Sequence, residues 1–446
     1  MPVPVFARRR AALALLSLPL LSLSLSRRVA RAAEPDGKRI SIIDTGAVAD
    51  GATVNTHAIQ AAIDRVAIDR VANDRVAGQG GGTVVVPAGV FVSGALFLKP
   101  GVHLHLERGA VLRCSTDMRH FPVQRTRIEG HFEERFNPGL INAVACDGLR
   151  ITGAGTLDGA GRPIWDRFWQ LRNAAKDKAA FRNLDVPRAR LAVIEGSRGV
   201  TVDGITFKDS QFWNLHLYRC RDVVVRGCSF EVPDDYVQAP STDGIDIDSC
   251  QDVLVDGCHF SVTDDCIAAK GSKGPHAPDD KDSPPVERVR VRNCVFRRGH
   301  AMFTCGSEAT VVRDVVVEHC TVREVGAVAH LKLRPDTPQR YEDIAFRDLV
   351  LDSARGEIVA IRPWSQYFDL KGEAPPHSSV RGLVLDGIRG RFGAFGIVAP
   401  NPGQTDISGI VLRNFDMQLT DERLQVKDAA KPTMENVIVD GKPYAA

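Results

Sequence analysis

The sequence predicts an all-β fold, a right-handed parallel β-helix in which successive coils of the chain stack their strands into long sheets. Short runs of alternating apolar and polar residues, the pattern of a half-buried strand, recur with starts 23 to 39 residues apart. Helical periodicity is absent between these runs, which disfavours a βα barrel or a leucine-rich repeat. A repeat of ~20–25 residues with insertions of variable length is typical of a solenoid.

Most of the repeated runs also share a turn position. Most carry Gly or Asn after the strand, where a turn requires a positive φ. The runs read VTVDGITF (200–207), VVVRGCSF (223–230), VLVDGCHF (253–260), VRVRNCVF (289–296), VVVEHCTV (315–322), IAFRDLVL (344–351), LVLDGIRG (383–390) and IVLRNFDM (410–417).

Cysteines recur at one position of the repeat, as at Cys228, Cys258, Cys294 and Cys320. We expect them to stack in the core as small apolar residues. One or more disulfides remain the alternative, because disulfides persist in exported proteins. The chain contains no Cys-x-x-Cys pair, so the cysteine spacing does not support a metal site or thioredoxin-like chemistry.

An open solenoid end exposes an unpaired strand edge and must be capped. The segment 56–77 contains the pentapeptide repeat IDRVA-IDRVA-NDRVA and is rich in helix formers. We therefore expect an N-terminal cap helix there, with the coils beginning at the stretch GGGTVVVPAGVF (80–91).

The N-terminal segment 1–33 has the layout of a secretory signal: arginines at 8–10, an apolar segment at 11–25 and Ala-Arg-Ala at 30–32. We expect residues 1–33 to be a signal peptide, and residues 34–446 to form a single β-helix domain that is exported to the periplasm or the medium. Twin-arginine export and an uncleaved anchor are alternatives. No apolar run reaches ~20 residues, so a membrane-spanning bundle is not expected.

Net charge does not favour a nucleic-acid partner. The formal charge is +2, but six arginines lie in the segment 1–33. Without them the chain has 51 basic and 55 acidic residues. We expect no nucleic-acid partner, no membrane contact after cleavage of the leader, and a monomer.

Polar clusters interrupt the apolar alternation at Asp243, Asp264–Asp265, His300 and His330–Lys332. Stacked strands lie ~4.8 Å apart, and the spacing from Asp243 to Asp264 is about one short coil. In-register stacking would place these two in one column, with Asp265 one column across. His300 and His330 would share the column of Asp265, and Asp246 would share that of Lys332.

Three carboxylates on one patch cannot all ionise freely, so the pKa of at least one should rise. An acid and a base of the same residue type can arise in this way. Hydrolysis of a glycosidic bond requires such a pair, one carboxylic acid for the leaving oxygen and one carboxylate for water or carbon. A Ca²⁺ site or a solvated turn remains the alternative, since Asp-rich turns are common.

The chain resembles the polygalacturonase family, glycoside hydrolase family 28, from about Ile42 to the C-terminal coils. The opening DTGAVADGATVNTHAIQAAI (44–63) is similar to the usual start of that family. The family motifs NTD, DD, GHG and RIK occur in order as STD, DD, GHA and HLK. The resemblance implies hydrolysis of α-linked galacturonide bonds in pectic polysaccharide by direct attack of water, with inversion, and with no metal or organic cofactor.

The resemblance also implies roles for individual residues. Asp264 corresponds to the general acid. Asp243 and Asp265 correspond to the carboxylates that hold the attacking water. His300 corresponds to the histidine that orients or tunes the acid, and Lys332 to the lysine that binds the substrate carboxylate.

Three departures from the motifs bear on the substrate. Ser241 replaces Asn, Ala301 replaces Gly, and His330 replaces Arg, which removes a bidentate partner for a carboxylate. Arg334 could supply the missing guanidinium if it points to the same face. Ser241, His330 and Arg334 therefore join Lys332 as candidate substrate-binding residues, and a hydrolase of rhamnogalacturonan or another decorated pectin remains an alternative.

Long segments near the motifs are expected to shape the groove. These are an extended insertion at 116–190, with Trp165 and Trp169, and the Pro-rich stretch 271–285. If they close one end, attack occurs from the chain end, and we expect this exo mode, which the pattern's resemblance to bacterial exo-acting members also favours. Further candidate sugar contacts are Trp213 and a rim of Arg362, Trp364 and Tyr367.

Two other classes remain open. A β-helical polysaccharide lyase would use Ca²⁺ and an Arg base, and the DD and GH motifs are evidence against it. A non-catalytic β-helix that binds carbohydrate would not be expected to keep all three aspartates.

Overall fold

A computed structural model describes residues 37–73, 82–178, 180–366 and 368–444, without the side chains of 68–73. These residues belong to one compact unit. They form the expected right-handed parallel β-helix, whose strands pair with those of the next coil in three long sheets. Residues 1–33 lie outside the described part, so the expected signal peptide remains a prediction.

Each early coil adds one short strand to each sheet. The first sheet contains Arg39–Ser41, Gly82–Val86, Val102–Leu106, Arg150–Gly153, Thr201–Asp203, Arg221–Arg226, Gln251–Asp256, Val286–Arg292 and Val311–Glu318. The second contains Asp50–Val54, Gly89–Ser93, Ala110–Cys114, Thr156–Asp158, Thr206–Lys208, Ser229–Glu231 and His259–Ser261. The third contains Leu96–Leu98, Ile141–Val144, Ala192–Glu195, Leu215–Tyr218, Ile245–Asp248, Ile267–Lys270 and Glu357–Pro363.

The later strands are longer and bend from one sheet into the next. They are Val295–Cys305, Thr321–Leu333, Arg340–Asp352, Ser378–Val398 and Val411–Val426. The final coils add Thr405–Ser408, Thr433–Val439 and the antiparallel Lys442–Pro443.

The core is built from columns of equivalent side chains. Phe207, Phe230, Phe260 and Phe296 stack with ring centroids 4.8–4.9 Å apart. All ten cysteines are buried, and none forms a disulfide. The expectation that the cysteines pack in the core as small apolar residues is therefore confirmed, and the disulfide alternative is wrong. Such columns form because equivalent residues of successive coils point the same way and lie one strand spacing apart.

The turn after each first-sheet strand repeats from coil to coil. Gly227 and Gly257 have φ of 57° and 63°, and Asn293 and Asn414 both have φ of 56°. This left-handed conformation is the one that Gly and Asn tolerate best. The expected role of the Gly or Asn at the end of each run is therefore confirmed.

One outward column of the first sheet alternates in charge from coil to coil. Its paired members are Asp203, Arg226, Asp256, Arg292, Glu318, Arg347, Asp386, Arg413 and Glu435. Ion pairs at 2.8 to 3.0 Å form within it, for example between Arg226 and Asp203. Opposite charges directly across neighbouring strands contribute roughly 0.2–1 kcal/mol each, whereas like charges destabilise. The column therefore favours the observed stacking of neighbouring coils.

The expected cap helix is present as Thr56–Asn73, and residues 74–77 of the prediction lie outside the described part. It buries Ile59, Ile63 and Val66 against the first coil. At Gly82 a Cβ atom would lie 2.5 Å from Val66 Cγ1, so the close approach of helix and sheet requires glycine.

The expected start of the coils at residue 80 is wrong. Arg39–Ser41 already pairs with Gly82–Val86, and Asp50–Val54 pairs with Gly89–Ser93, so the cap helix lies between two coils. Both early strands are short, with one buried residue in Arg39–Ser41 and none in Asp50–Val54, so their sequence lacks the apolar alternation that marks the later strands.

The single insertion expected at 116–190 is also wrong, because a complete coil (141–158) divides it into two loops. The first loop holds the antiparallel hairpin of Gln124–Ile128 and His131–Phe136. The second holds the helix Arg162–Ala174. Of the helices in the described part of the chain, none is both long and apolar enough to cross a bilayer.

Short 3-10 helices complete the structure. They are Ile42–Thr45, Met118–His120, Asn183–Asp185 and Ala277–Asp279.

Candidate active site

A cavity of about 580 Å³ lies on the outer face of the third sheet, where its strands begin. Asp243, Asp264 and Asp265 line it, together with His300 and Lys332. The strands Ile245–Asp248 and Ile267–Lys270 carry the aspartates at their N-terminal ends. The second loop, with the helix Arg162–Ala174, and the hairpin of the first loop supply walls of the cavity.

The expected columns are wrong by one residue. Ile245 pairs with Ile267, so Asp243 shares its column with Asp265 and not with Asp264. His300 lies beside Asp264, whose carbonyl oxygen accepts a hydrogen bond from the His300 backbone N–H at 2.9 Å. Two coils are each one residue longer than expected, with 22 residues from Ile245 to Ile267 and 36 from Ile267 to Phe303, and this moves Asp264 and His300 relative to Asp265.

The later residues are shifted as well. His330 lies in the column of Asp246, because Asp246 pairs with Ala268, Ala268 with Thr304, and Thr304 with His330. Lys332 falls in the column of Lys270 and not in that of Asp246. The coil from Ile267 to Phe303 has 36 residues, and the coil from Phe303 to Ala329 has 26. The 30-residue spacing from His300 to His330 equals neither length, so the two histidines lie in different columns.

The predicted residues nevertheless meet. Carboxylate oxygens of Asp243, Asp264 and Asp265 lie within 4.8 Å of one another. Lys332 Nζ donates to Asp265 Oδ2 at 2.8 Å, and His300 Nδ1 lies 3.2 Å from Asp265 Oδ1. Lys332 and His300 lie in other columns than Asp265, but their side chains are long enough to reach its carboxylate.

Asp265 is held as a carboxylate. Its side chain is 1% exposed, and burial alone would raise its pKa. The Lys332 ammonium and the hydrogen bond from His300 outweigh burial and hold the pKa well below its usual range. The same hydrogen bond raises the pKa of His300 despite desolvation, which favours the imidazolium.

Asp243 behaves in the opposite way. Burial, together with the charges of Asp264 and Asp246, raises its pKa well above the usual range. The nearest cation is Lys270, whose Nζ lies 3.6 Å from Asp243 Oδ2 and 3.5 Å from Asp246 Oδ1. Burial likewise raises the pKa of Asp246 to about 8, so one shared ammonium does not hold either carboxyl group at its usual pKa, and both favour the protonated form.

Sequence reasoning missed Lys270. It is buried, its Nζ lies 4.7 Å from the centroid of the Trp213 ring, and its two carboxylate neighbours raise its pKa despite burial. The sequence feature that could have identified Lys270 is its position at the end of the short strand Ile267–Lys270, which follows the DD motif and is otherwise apolar.

Two predicted substrate-binding residues lie outside the cavity wall. Arg334 is fully buried and forms a bidentate pair with Asp336 at 2.7 and 2.9 Å, so it does not replace the missing motif arginine. His330 is buried beneath His300 and Trp364, with ring centroids 5.4 and 6.0 Å away. Burial and the Lys332 charge lower the pKa of His330 to about 3, so the ring is neutral.

The other candidates are divided. Ser241 lines the cavity with a φ of 57°, a conformation that Asn, the family residue there, adopts more readily. Trp364 also lines the cavity, and Lys332 Nζ lies 4.5 Å from its ring centroid. Trp213 is 4% exposed and packs against Phe212, so most of its surface belongs to the core.

The rest of the expected rim contributes little. Arg362 pairs with Glu357 and does not line the cavity. Tyr367 lies outside the described part of the chain.

The three aspartates could in principle ligate a cation, since oxygen atoms at this separation suit Ca²⁺. Two ammonium groups already offset this charge, Lys332 at Asp265 and Lys270 at Asp243. The donor set therefore fits a cation less well than three unpaired carboxylates would.

A carboxylate cluster in a cavity on a parallel β-helix defines the class of the protein, a glycoside hydrolase. The family model "Glycosyl hydrolases family 28" matches residues 85–431. The chain belongs to this family.

Curated relatives and solved structures agree with this assignment. The chain is 29% identical over 214 residues to a "Probable polygalacturonase" of Vitis vinifera, covering 47% of the chain and 39% of the relative. It is 34% identical over 149 residues to an "Exo-poly-alpha-D-galacturonosidase" of Dickeya chrysanthemi, covering 32% of the chain and 21% of the relative. Each match spans less than half of that relative's length.

Solved structures share the fold. The exopolygalacturonase of Thermotoga maritima superposes with a TM-score of 0.72 at 22% identity, covering 92% of this chain and 93% of that one. The family 28 exopolygalacturonase of Yersinia enterocolitica has a TM-score of 0.64 at 21% identity, covering 92% and 80%. At these identities the likeness establishes the β-helix.

Replacing Lys270 with Met should destabilise the protein, because it leaves Asp243 and Asp246 buried without a cation. Breaking a buried pair in this way costs about 3–5 kcal/mol of unfolding free energy. Raised carboxylate pKa values make stability fall as pH rises, so the loss should be larger at pH 8 than at pH 4.

Urea unfolding at both pH values checks this prediction. Lys208→Met, at an exposed strand position, is the matched control. If both variants unfold at the same urea concentration as the wild type, Lys270 does not neutralise the two carboxylates.

Proposed function

We propose that this protein is an exported hydrolase that cleaves α-linked galacturonide bonds of pectic polysaccharide, with inversion and from the chain end. The observation that carries the proposal is the cluster of three carboxyl groups whose oxygen atoms lie within 4.8 Å of one another. Burial raises the pKa of Asp243, whereas Lys332 and His300 outweigh burial and lower the pKa of Asp265, beside the more accessible Asp264. The polygalacturonase names of the curated relatives support the galacturonide substrate.

Accessibility supports Asp264 as the general acid. It is half-buried and lines the cavity, whereas Asp243 is 3% and Asp265 1% exposed. A general acid must first reach the leaving oxygen, and only then does its pKa matter. Asp264 can make that contact, while Asp243 and Asp265 lie deeper, where a water molecule could be held between them.

Electrostatics supports Asp265 as the base that activates the water. The ionised Asp265 can accept a proton from water as the water attacks the anomeric carbon. Lys332 and His300 keep Asp265 in this state, so both act through Asp265 as well as on any bound sugar. Lys332 has three donors, of which one goes to Asp265, so it can still contact a substrate carboxylate.

Inversion rests on the family resemblance. The carboxylate oxygens lie within 4.8 Å of one another, whereas the two carboxyl groups of inverting glycosidases are commonly roughly 6.5–9.5 Å apart. The cluster differs from that common arrangement in having three carboxylates, two of which would share the water.

The hairpin of the first loop supports the exo mode. Its tip residue Gly130 packs against Gly271 and Glu308, and a Cβ atom on Gly130 would lie 2.8 Å from the Gly271 carbonyl oxygen. Arg127 of the same hairpin pairs with Asp248 at 3.2 Å and with Asp280 at 3.3 Å. A hairpin fixed in this way narrows the cavity and leaves less room for a continuous polymer chain.

Export is supported by the leader at 1–33, and a monomer is the state that we propose for the exported chain. A decorated pectin such as rhamnogalacturonan is the second candidate substrate. The observation that favours it is the replacement of the motif arginine by a buried, neutral His330.

Incubation with polygalacturonate in EDTA should release saturated monogalacturonate from the first minutes, with little loss of viscosity. EDTA should not reduce the rate, because Lys270 and Lys332 supply the positive charge at the carboxylates. Products are resolved by size, and absorbance of unsaturated uronate is followed in parallel. Calcium-dependent, ultraviolet-absorbing products would instead identify a lyase, and release only from rhamnogalacturonan would identify the second substrate.

Asp264→Asn should lower turnover of digalacturonate by about 10²–10⁴-fold, because protonation of the leaving oxygen is lost. A galacturonide with a nitrophenol leaving group needs no such proton, so the variant should retain far more of its activity on it. Asp265→Asn should fail on both substrates, since attack by water requires the carboxylate. Asp234→Asn, at an exposed position, is the control. If Asp264→Asn loses activity equally on both substrates, Asp264 is not the general acid.

A further inference from the structure

A galacturonide substrate carries a carboxylate on every sugar, and the family motif that would meet it is altered here. The position of the motif arginine is a buried histidine, His330. Arg334, two residues after Lys332, is committed to Asp336. Neither residue can offer a guanidinium to the cavity.

The two lysines of the cavity are also engaged. Lys332 donates to Asp265, and Lys270 lies between Asp243 and Asp246. Both are buried, and each already faces at least one aspartate. A substrate carboxylate at Lys332 would share an ammonium that already donates to Asp265, and one at Lys270 would compete with Asp243 and Asp246.

Arg172 differs from the other cations that line the cavity. It projects from the helix Arg162–Ala174 and is half-buried. Among the described residues, no carboxylate forms an ion pair with it. Its guanidinium carbon instead lies 5.7 Å from the ring centroid of Trp169 and 6.0 Å from that of Phe181.

Trp169 lies one helical turn before Arg172, so both side chains share one face of the helix, and both line the cavity. The Trp169 indole N–H donates to the Gln238 carbonyl oxygen at 2.8 Å, and its ring contacts Phe168 edge to face. The aromatic platform is therefore fixed, and the guanidinium lies beside it.

We propose that Arg172 and Trp169 form a carboxylate subsite of the cavity, in which the guanidinium binds a substrate uronate and the indole packs against its sugar ring. This inference rests on the proposed galacturonide function and deepens it by assigning the recognition of the acid group. A guanidinium matches a carboxylate with two parallel hydrogen bonds. Its aromatic neighbours provide no competing acceptor.

The charge of the cavity favours such a subsite for a uronate. Five carboxylic residues line it: Glu129, Asp243, Asp264, Asp265 and Glu308. A polyanionic substrate would be repelled unless an unengaged cation met it. Arg172 is the residue in the described cavity wall that fits this requirement.

Binding is measured by calorimetry in the Asp264→Asn background, so that the ligand is not consumed. The ligands are digalacturonate and its methyl ester, which lacks the negative charge. Arg172→Gln should weaken binding of digalacturonate about ten- to a hundredfold, the effect of losing a charge-assisted hydrogen bond, and leave the ester unchanged. Arg172→Lys should recover part of the loss, because lysine keeps the positive charge but cannot form the two parallel hydrogen bonds of a guanidinium.

Arg167→Gln is the matched control, since Arg167 is exposed on the same helix and does not line this cavity. It should bind both ligands like its parent. In the otherwise wild-type enzyme, Arg172→Gln should raise KM for digalacturonate while kcat changes little.

Unchanged digalacturonate binding in Arg172→Gln would overturn the subsite. Equal weakening of acid and ester would also overturn it, because it would indicate a change in the helix and not a lost charge contact. A wrong proposed function would give a different result, because the wild type would then cleave no galacturonide. The binding comparison would then still decide the subsite, since it does not require turnover.

Discussion

In-register stacking of parallel coils is the constraint on which the rest of the structure depends. Strands of neighbouring coils pair residue by residue, so each position acquires neighbours ~4.8 Å away in the coils before and after it. In the core this produces stacked Phe and Cys columns. On the outer face of the first sheet it produces the alternating charge column, whose ion pairs hold the same register. The active site is a third consequence, because aspartates, a histidine and lysines of successive coils meet on one face.

The carboxylate cluster shows how this geometry becomes chemistry. Asp243 and Asp265 occupy the same column and are both buried, yet burial and neighbouring charges move their pKa values in opposite directions. The difference lies in the next coils, since Lys332 and His300 reach Asp265 while Asp243 shares Lys270 with Asp246. Two identical side chains thus acquire two different preferred protonation states. The ionised one, Asp265, is the base that we propose, whereas the proposed general acid is the more accessible Asp264.

Much of the fold could be predicted from sequence, because alternating runs, Gly or Asn corners and recurring cysteines are local signals. The two strands before the cap helix were missed, since Arg39–Ser41 and Asp50–Val54 are short and exposed. The column assignment failed because coil lengths leave no mark in the sequence. Two coils are each one residue longer than expected, and the coil from Phe303 to Ala329 has 26 residues, four fewer than the spacing from His300 to His330. Lys270 and Arg172 belong to no motif, and only the folded chain brings them into the cavity. Arg334 illustrates the converse, a residue at a plausible spacing that the fold commits to Asp336.

The central claim is that Asp243 and Asp265 hold different protonation states side by side. A neutron structure of crystals at pD 5 measures this directly, because deuterium is visible on a carboxyl group. The account predicts deuterium on Asp243, none on Asp265, and deuterium on both ring nitrogens of His300. Deuterium on Asp265, or a bare Asp243, would contradict the proposed division between the water-binding carboxylate and its protonated neighbour.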